Sequence, residues 1–251
     1  MTYCVEVLAA STSDCEIAEQ CGADRIELNN GIHLGGLTPS IGTLVMARRV
    51  TKLPIVAMVR PRPGGFHYNP MEVETMFVDA KQLIAAGADG LVFGFLNADR
   101  SVDASLTQSF VELCHEHGIE AIFHRAFDCV EDPFAAIEVL IECGVDRILT
   151  SGLKETAIEG VALLKTLQAQ YGNRIELCLG SGINAANALT LIDQTGVKQL
   201  HGSFKGWNED PTTRTENVSY AFSDLGDYDG VDPVKLKEMI DVINTKKAVS
   251  M

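Results

Sequence analysis

A short phrase recurs along the chain and dictates what it can fold into. Cys21-Gly-Ala-Asp-Arg-Ile-Glu-Leu28 returns as Ala86-Gly-Ala-Asp-Gly-Leu-Val-Phe93, Cys143-Gly-Val-Asp-Arg-Ile-Leu-Thr150 and Thr195-Gly-Val-Lys-Gln-Leu-His-Gly202. Looser copies are His117-Gly-Ile-Glu-Ala-Ile-Phe-His124 and Tyr171-Gly-Asn-Arg-Ile-Glu-Leu-Cys178. In each, a glycine closes an amphipathic stretch and a short apolar run follows, the pattern of a helix-ending glycine leading into a strand. The six glycines lie 65, 31, 26, 28 and 24 residues apart, so the first interval hides a unit. Residues 41–51 supply its helix, and Pro54, in place of glycine, ends it before Ile55-Val-Ala-Met-Val-Arg60.

With the run over 4–9 added, eight strands are expected near 4–9, 25–29, 55–60, 90–95, 120–127, 147–151, 174–180 and 199–204. Helices alternate with them at about 12–21, 39–50, 71–86, 104–117, 133–142, 156–171, 184–194 and 232–244. Eight β-then-α units in 251 residues predict an α/β protein, a single-domain (β/α)8 TIM barrel over 1–251. A doubly wound open sheet competes, but no G-x-G-x-x-G follows the first strand. The polar stretch 206–230 does not fit the period and reads as a long loop, either a linker, a lid over the mouth or an oligomer contact.

Composition narrows the partners. Twenty basic residues against 34 acidic ones give a net charge of −14, which opposes nucleic acid, while a small anion can still be held by backbone N–H groups. No apolar run reaches the ~18 residues of a membrane span. The first fifteen residues lack a secretory signal, so a cytoplasmic location is expected. Seven cysteines without a C-x-x-C pair are expected as reduced thiols, with Cys21, Cys143 and Cys178 packing as small hydrophobes.

In such a barrel chemistry sits at the C-terminal strand ends, and charges at the N-terminal ends serve stability. Asp24-Arg25 and Asp146-Arg147 belong to the second group. Glu6 and Glu27 lie inside strands that should be buried, where an unpaired carboxylate costs several kcal/mol. Arg60 ends strand three, His124, Arg125 and Asp128 end strand five, and His201 lies in strand eight, so these groups are candidates to converge with the two acids. They form either a catalytic or binding cluster or a structural ion-pair layer. Gly180, Ser181 and Gly182 after strand seven, with Gly202 and Ser203 after strand eight, are where barrels commonly hold phosphate; otherwise the glycines only permit tight turns. Thr38 is expected as an N-cap with Pro39 at the first helical position. Arg62 is placed to face a ligand from the strand-three loop. His115 and His117 read as helix capping, and His33 and His67 as residues of mouth loops.

These residues also carry a family resemblance. Gly22-Ala-Asp-Arg-Ile-Glu-Leu28, Gly35-Gly-Leu-Thr-Pro-Ser40, Met58-Val-Arg-Pro-Arg62, Phe123-His-Arg-Ala-Phe-Asp128, Asp146-Arg-Ile-Leu-Thr-Ser-Gly152 and His201-Gly-Ser203 occur in order, and the chain resembles the CutC copper-homeostasis proteins over 4–204 and, more loosely, 226–245. The resemblance implies a cytoplasmic barrel, a homo-oligomer and a link to copper tolerance, with no settled reaction. It also implies cysteines after Glu-Val in strand one and after Ile-Glu-Leu in strand two. Leu8 and Asn29 stand there instead. Soft thiolates select Cu(I), so weak or no Cu(I) binding is expected. Histidines, foremost His124 and His201, remain available for Cu(II).

Three functions are weighed. One is a metal-independent isomerase or lyase acting on a small phosphorylated or carboxylated metabolite, without an organic cofactor. Glu27 or Glu6 would be its base, His124 its acid or electrophile, and Arg60 and Arg125 would stabilise developing charge. The second is a copper-binding homeostasis protein without catalysis, and the third a scaffold.

Overall fold

In the computed structural model, which describes residues 3–249, eight parallel strands close into a barrel in chain order. They are β1 (Cys4–Ala9), β2 (Arg25–Leu28), β3 (Ile55–Met58), β4 (Gly90–Phe93), β5 (Glu120–Phe123), β6 (Arg147–Thr150), β7 (Glu176–Leu179) and β8 (Gln199–Gly202). β8 pairs back onto β1 through Glu6↔His201 and Val7↔Gly202. Outside lie α1 (Thr12–Cys21), α2 (Ile41–Val50), α3 (Pro70–Ala85), α4 (Ala104–Glu116), α5 (Pro133–Glu142), α6 (Val161–Tyr171), α7 (Ala188–Thr195) and α8 (Pro233–Val249). Among the described residues no helix is long and apolar enough to cross a membrane.

The recurring phrase has a physical role at the N-terminal face. Its glycine ends the helix: Gly22 sits in the left-handed region at φ 82° and its N–H bonds back to the last turn of α1. Its aspartate then staples two strands. Asp24 accepts the Val5 N–H, Asp89 the Ile55 N–H and Asp146 the Ala121 N–H, each at 2.8 Å. The N–H of each aspartate donates to the carbonyl of that same residue. The fourth copy carries Lys198, which has no such acceptor, and there the Lys198 carbonyl takes the Cys4 N–H.

Several boundaries differ from expectation for local reasons. α2 starts at Ile41 behind Ser40, not Thr38, because the Thr38 hydroxyl bonds both the N–H and the carbonyl of Arg60. β5 stops at Phe123, since the His124 ring accepts the Ala126 N–H and turns Arg125–Cys129 into a 3-10 helix. α6 begins only at Val161, after a turn-rich stretch, and Gly172 keeps right-handed helical angles. The stretch 206–230 is not wholly loop: β9 (Lys205–Asn208) and β10 (Tyr228–Val231) form an antiparallel ribbon at its base. Asp14 clamps that ribbon by accepting the Val231 N–H at 2.8 Å. Its tip folds toward the β2 loop, where Phe222 meets Trp207 at 5.7 Å and His33 at 4.4 Å.

Side chains alternate in and out along each strand, and the barrel interior divides into two sectors. Val56, Met58, Val92 and Ile122 of β3, β4 and β5 form an apolar cluster. Glu6, Arg25, Glu27, Arg147 and His201 of β1, β2, β6 and β8 form a buried polar one. The larger apolar core lies between barrel and helices. The functional question therefore concerns what the polar sector supports at the mouth.

Candidate functional site

Glu6 is the hub. It is 2% exposed, and burial opposes its ionisation. The Arg25 guanidinium, bonded through Nε to Oε2, together with His201 and Arg147, outweighs that cost and holds the carboxyl well below its usual range. Arg25 and Arg147 do start their strands, as expected, yet both turn inward. The second also meets Glu120 at 2.9 Å.

An ionised Glu6 sets the state of its neighbours. His201 Nδ1 lies 2.8 Å from Glu6 Oε1 and donates to it. Burial alone would discharge the ring, but Glu27 and Glu6 push its pKa up. Glu27 is 2% exposed; burial and the nearby Glu6 raise its carboxyl, with His201 opposing. Glu27 Oε1 accepts from Asn29 Nδ2 at 2.9 Å, and Oε2 lies 3.8 Å from His201 Nδ1. Among the described residues neither Glu27 Oε2 nor Asn29 Oδ1 has a hydrogen-bond partner.

His124 approaches from the opposite side of the barrel. Burial, aided by Arg60, pulls its pKa down to about 3, so the ring is neutral. Nδ1 accepts the Ala126 N–H at 3.1 Å, which leaves the ring proton on Nε2. That Nε2 is buried without an acceptor. Phe66 packs on the ring at 4.8 Å.

The remaining candidates are spent differently. Arg60 donates from Nη1 to the Leu34 and Gly36 carbonyls and from Nη2 to the Gly64 carbonyl, tying the β2 and β3 loops together while its Nε stays unpartnered. Asp128 accepts the Thr150 hydroxyl at 2.6 Å and the Ser151 and Leu153 N–H groups at 3.0 and 3.1 Å, so it braces the β6 loop. Arg125 bonds Asp128 at 2.8 Å and Ser151 Oγ at 2.8 Å. Arg62 is turned away to Glu72. His115 bonds Asp146, and His117 the Leu113 carbonyl, at the end of α4.

A cavity of about 380 Å³ opens at the C-terminal strand ends. Glu27, Asn29, Arg60, His124, Arg125 and His201 line it with Leu8, Met58, Phe66, Leu149 and the glycine-rich loops. Of the expected site residues, Glu6, Asp128 and Gly180 stand outside its wall, whereas Ser181, Gly182, Gly202 and Ser203 are in it. The Ser181 hydroxyl is taken by the Glu155 carbonyl. The N–H groups of Gly182, Ile183 and Ser203 have no acceptor among the described residues. From sequence, Met58 and Phe66 are not expected at the site, and Asn29 is expected only as a residue in place of a cysteine, not as a partner of Glu27. The period-two alternation that points Glu27 inward also points Asn29 inward, and was the available signal.

The donors suit copper poorly. Among the described residues one group of three offers ligand atoms within 4.8 Å of one another, Glu6, Glu27 and His201. Carboxylate oxygens do not select Cu(I), and Glu6 already neutralises Arg25. Leu8 and Asn29 line the cavity where a thiolate pair would stand, and none of its lining residues is a cysteine. The Cys4 thiol is raised to about 11 by burial, and burial also raises the Cys178 thiol well above its ordinary value.

A sequence model of the CutC family matches residues 3–206. A CutC family protein of Treponema denticola is 41% identical over 96% of this chain and 98% of its own length. The human copper homeostasis protein cutC homolog is 39% identical over 87% of this chain and 79% of its own. The crystal structure of a putative copper homeostasis protein CutC from Streptococcus agalactiae superposes with TM-score 0.76 at 31% identity, covering 80% of this chain and 99% of that one.

Proposed function

This chain belongs to the CutC family, and from that premise and the mouth geometry we propose that its barrel holds a small anionic metabolite, a phosphate ester or carboxylate. One observation carries the reading. Gly182, Ile183 and Ser203, after β7 and β8, line the same cavity as Arg60 and Arg125, and their backbone N–H groups have no acceptor among the described residues. Backbone N–H groups left free in glycine-rich turns bind anions whatever the net charge of the chain. His201, whose pKa Glu27 and Glu6 push up against the effect of burial, lies on the same wall.

Relatives are named for copper homeostasis, and a copper ion would reach this mouth as cargo. The residues present do not form a soft ligand set for Cu(I), so no step is routed through the metal.

The test is calorimetric titration with glycerol 3-phosphate at low salt, paired with 15N–1H spectra. We expect one-to-one binding, weakened by Arg125→Met, with the Gly182, Ile183 and Ser203 amides among the largest shifts. No binding at millimolar ligand, or shifts confined to another face, would refute the proposal.

A further inference from the structure

Resting on that anion site, we infer that Glu27 and His124 form a proton-transfer pair acting on a small phosphorylated hydroxyketone or hydroxyaldehyde. The two residues line one cavity from β2 and from the end of β5, and each carries a buried polar atom, Glu27 Oε2 and His124 Nε2, that has no hydrogen-bond partner among the described residues. A buried polar group left unsatisfied is costly, so two in residues that line one cavity point to the chemistry of a ligand. Their complementarity is specific. His124 Nε2–H is a neutral donor, fixed in that tautomer by the Ala126 N–H, and a neutral imidazole is suited to polarising a carbonyl oxygen. Glu27 is held by Asn29 through Oε1, which leaves Oε2 as the reacting atom.

The electrostatics fit a base. Burial raises the Glu27 carboxyl above its ordinary value, while His201 at 3.8 Å opposes that rise and favours the ionised form. Glu6 acts one step behind, as a positioning residue: it holds the His201 ring beside Glu27 and does not line the cavity. The phosphoryl group would sit on the Gly182, Ile183 and Ser203 N–H groups, and a cavity of about 380 Å³ is at the small end of ligand sites.

The step balances without a co-reactant. Glu27 Oε2 takes a proton from the carbon next to the carbonyl. The C–H pair becomes the C=C bond of an enediolate, and the carbonyl π pair moves onto the oxygen that accepts from His124 Nε2–H. Return of a proton from the Glu27 carboxylic acid to carbon closes the cycle. In D2O the Glu27 carboxylic acid exchanges its proton with solvent, and the atom it then returns to carbon is deuterium.

Dihydroxyacetone phosphate in D2O, followed by 1H NMR, is the probe. We expect its hydroxymethyl protons to exchange in the presence of the protein, with the rate falling 10²–10⁴-fold in Glu27→Gln and in His124→Gln while calorimetric binding of the probe persists. Glu27→Asp, which keeps the charge but withdraws it, should retain partial exchange and covers the case in which Glu27→Gln misfolds. Binding without exchange overturns this inference and leaves the anion site standing. Absence of binding overturns both. Exchange that survives Glu27→Gln overturns the assignment of the base.

Discussion

Glu6→Gln removes a single charge and tests the polar sector at its centre. The substitution keeps shape and an acceptor oxygen but leaves Arg25, 9% exposed, and Arg147, 1% exposed, facing a neutral group. Arg147 is the more exposed to loss of this partner, because its Nε and Nη2 already lack hydrogen-bond acceptors. Breaking a buried pair by removing one partner costs about 3–5 kcal/mol, and the retained amide oxygen puts the expectation at the lower end, about 3 kcal/mol. For a chain of this length that is a fall in melting temperature of roughly 6–12 °C. Urea unfolding followed by circular dichroism measures the first quantity and calorimetry the second. The pH dependence carries a sign as well. The folded Glu6 carboxyl is lowered from 4.5, so its stabilisation is complete above the unfolded value and drains away as pH falls below about 4.5. That acid limb should be shallower in Glu6→Gln than in the parent. A double-mutant cycle with Arg25→Gln should show a coupling of about 1–3 kcal/mol. A loss under 1 kcal/mol, or no coupling, would mean that the arginines are solvated and the hub is misassigned.

The other expectations concern the mouth and its supports. Gly36 sits at φ +83° with a built Cβ 2.4 Å from Asn29 Oδ1, so Gly36→Ala should cost at least about 1 kcal/mol in urea unfolding and weaken glycerol 3-phosphate binding by displacing Asn29. Asp128→Asn trades a carboxylate that accepts from Thr150, Ser151, Leu153 and Arg125 for an amide that cannot accept all of them; a loss of about 2 kcal/mol is expected by the same assay. In anaerobic titration against a chromophoric Cu(I) chelator, the parent should not compete, whereas Leu8→Cys with Asn29→Cys should, since the pair places two thiolates on one cavity wall. Competition by the parent would show that Cu(I) is held by another set of groups.

Of the candidate site, the sequence displays the actors more clearly than their partners. Glu6, Glu27 and His201 stand out because charged residues in strands that read as buried must find company. Which company is a matter of strand stagger. Arg25 and Arg147 sit at strand starts, where charges ordinarily face water, and only the register Glu6↔Arg25 brings the first against Glu6. Arg60 and Asp128 look like site groups by position, yet one pins two loops through three carbonyls and the other braces the β6 loop. A sequence does not show which backbone carbonyls and N–H groups a loop leaves within reach.

The recurring glycine phrase, with the Pro54 unit and the run over 4–9, determines the barrel, because each copy both ends a helix and starts a strand, and in three copies the aspartate staples neighbouring strands. These are local effects, decided within a few residues of chain, and eight alternating units leave a closed parallel sheet as the arrangement that covers every strand on both faces. The mouth follows no such local rule. The neutral tautomer of His124, the orphaned Oε2 of Glu27 and the three N–H groups without acceptors among the described residues are set by packing across the barrel, where partners such as Glu6 and His201 lie 195 residues apart. Protonation and hydrogen bonding at such a site are fixed by distance and burial, and both exist only once the barrel has closed.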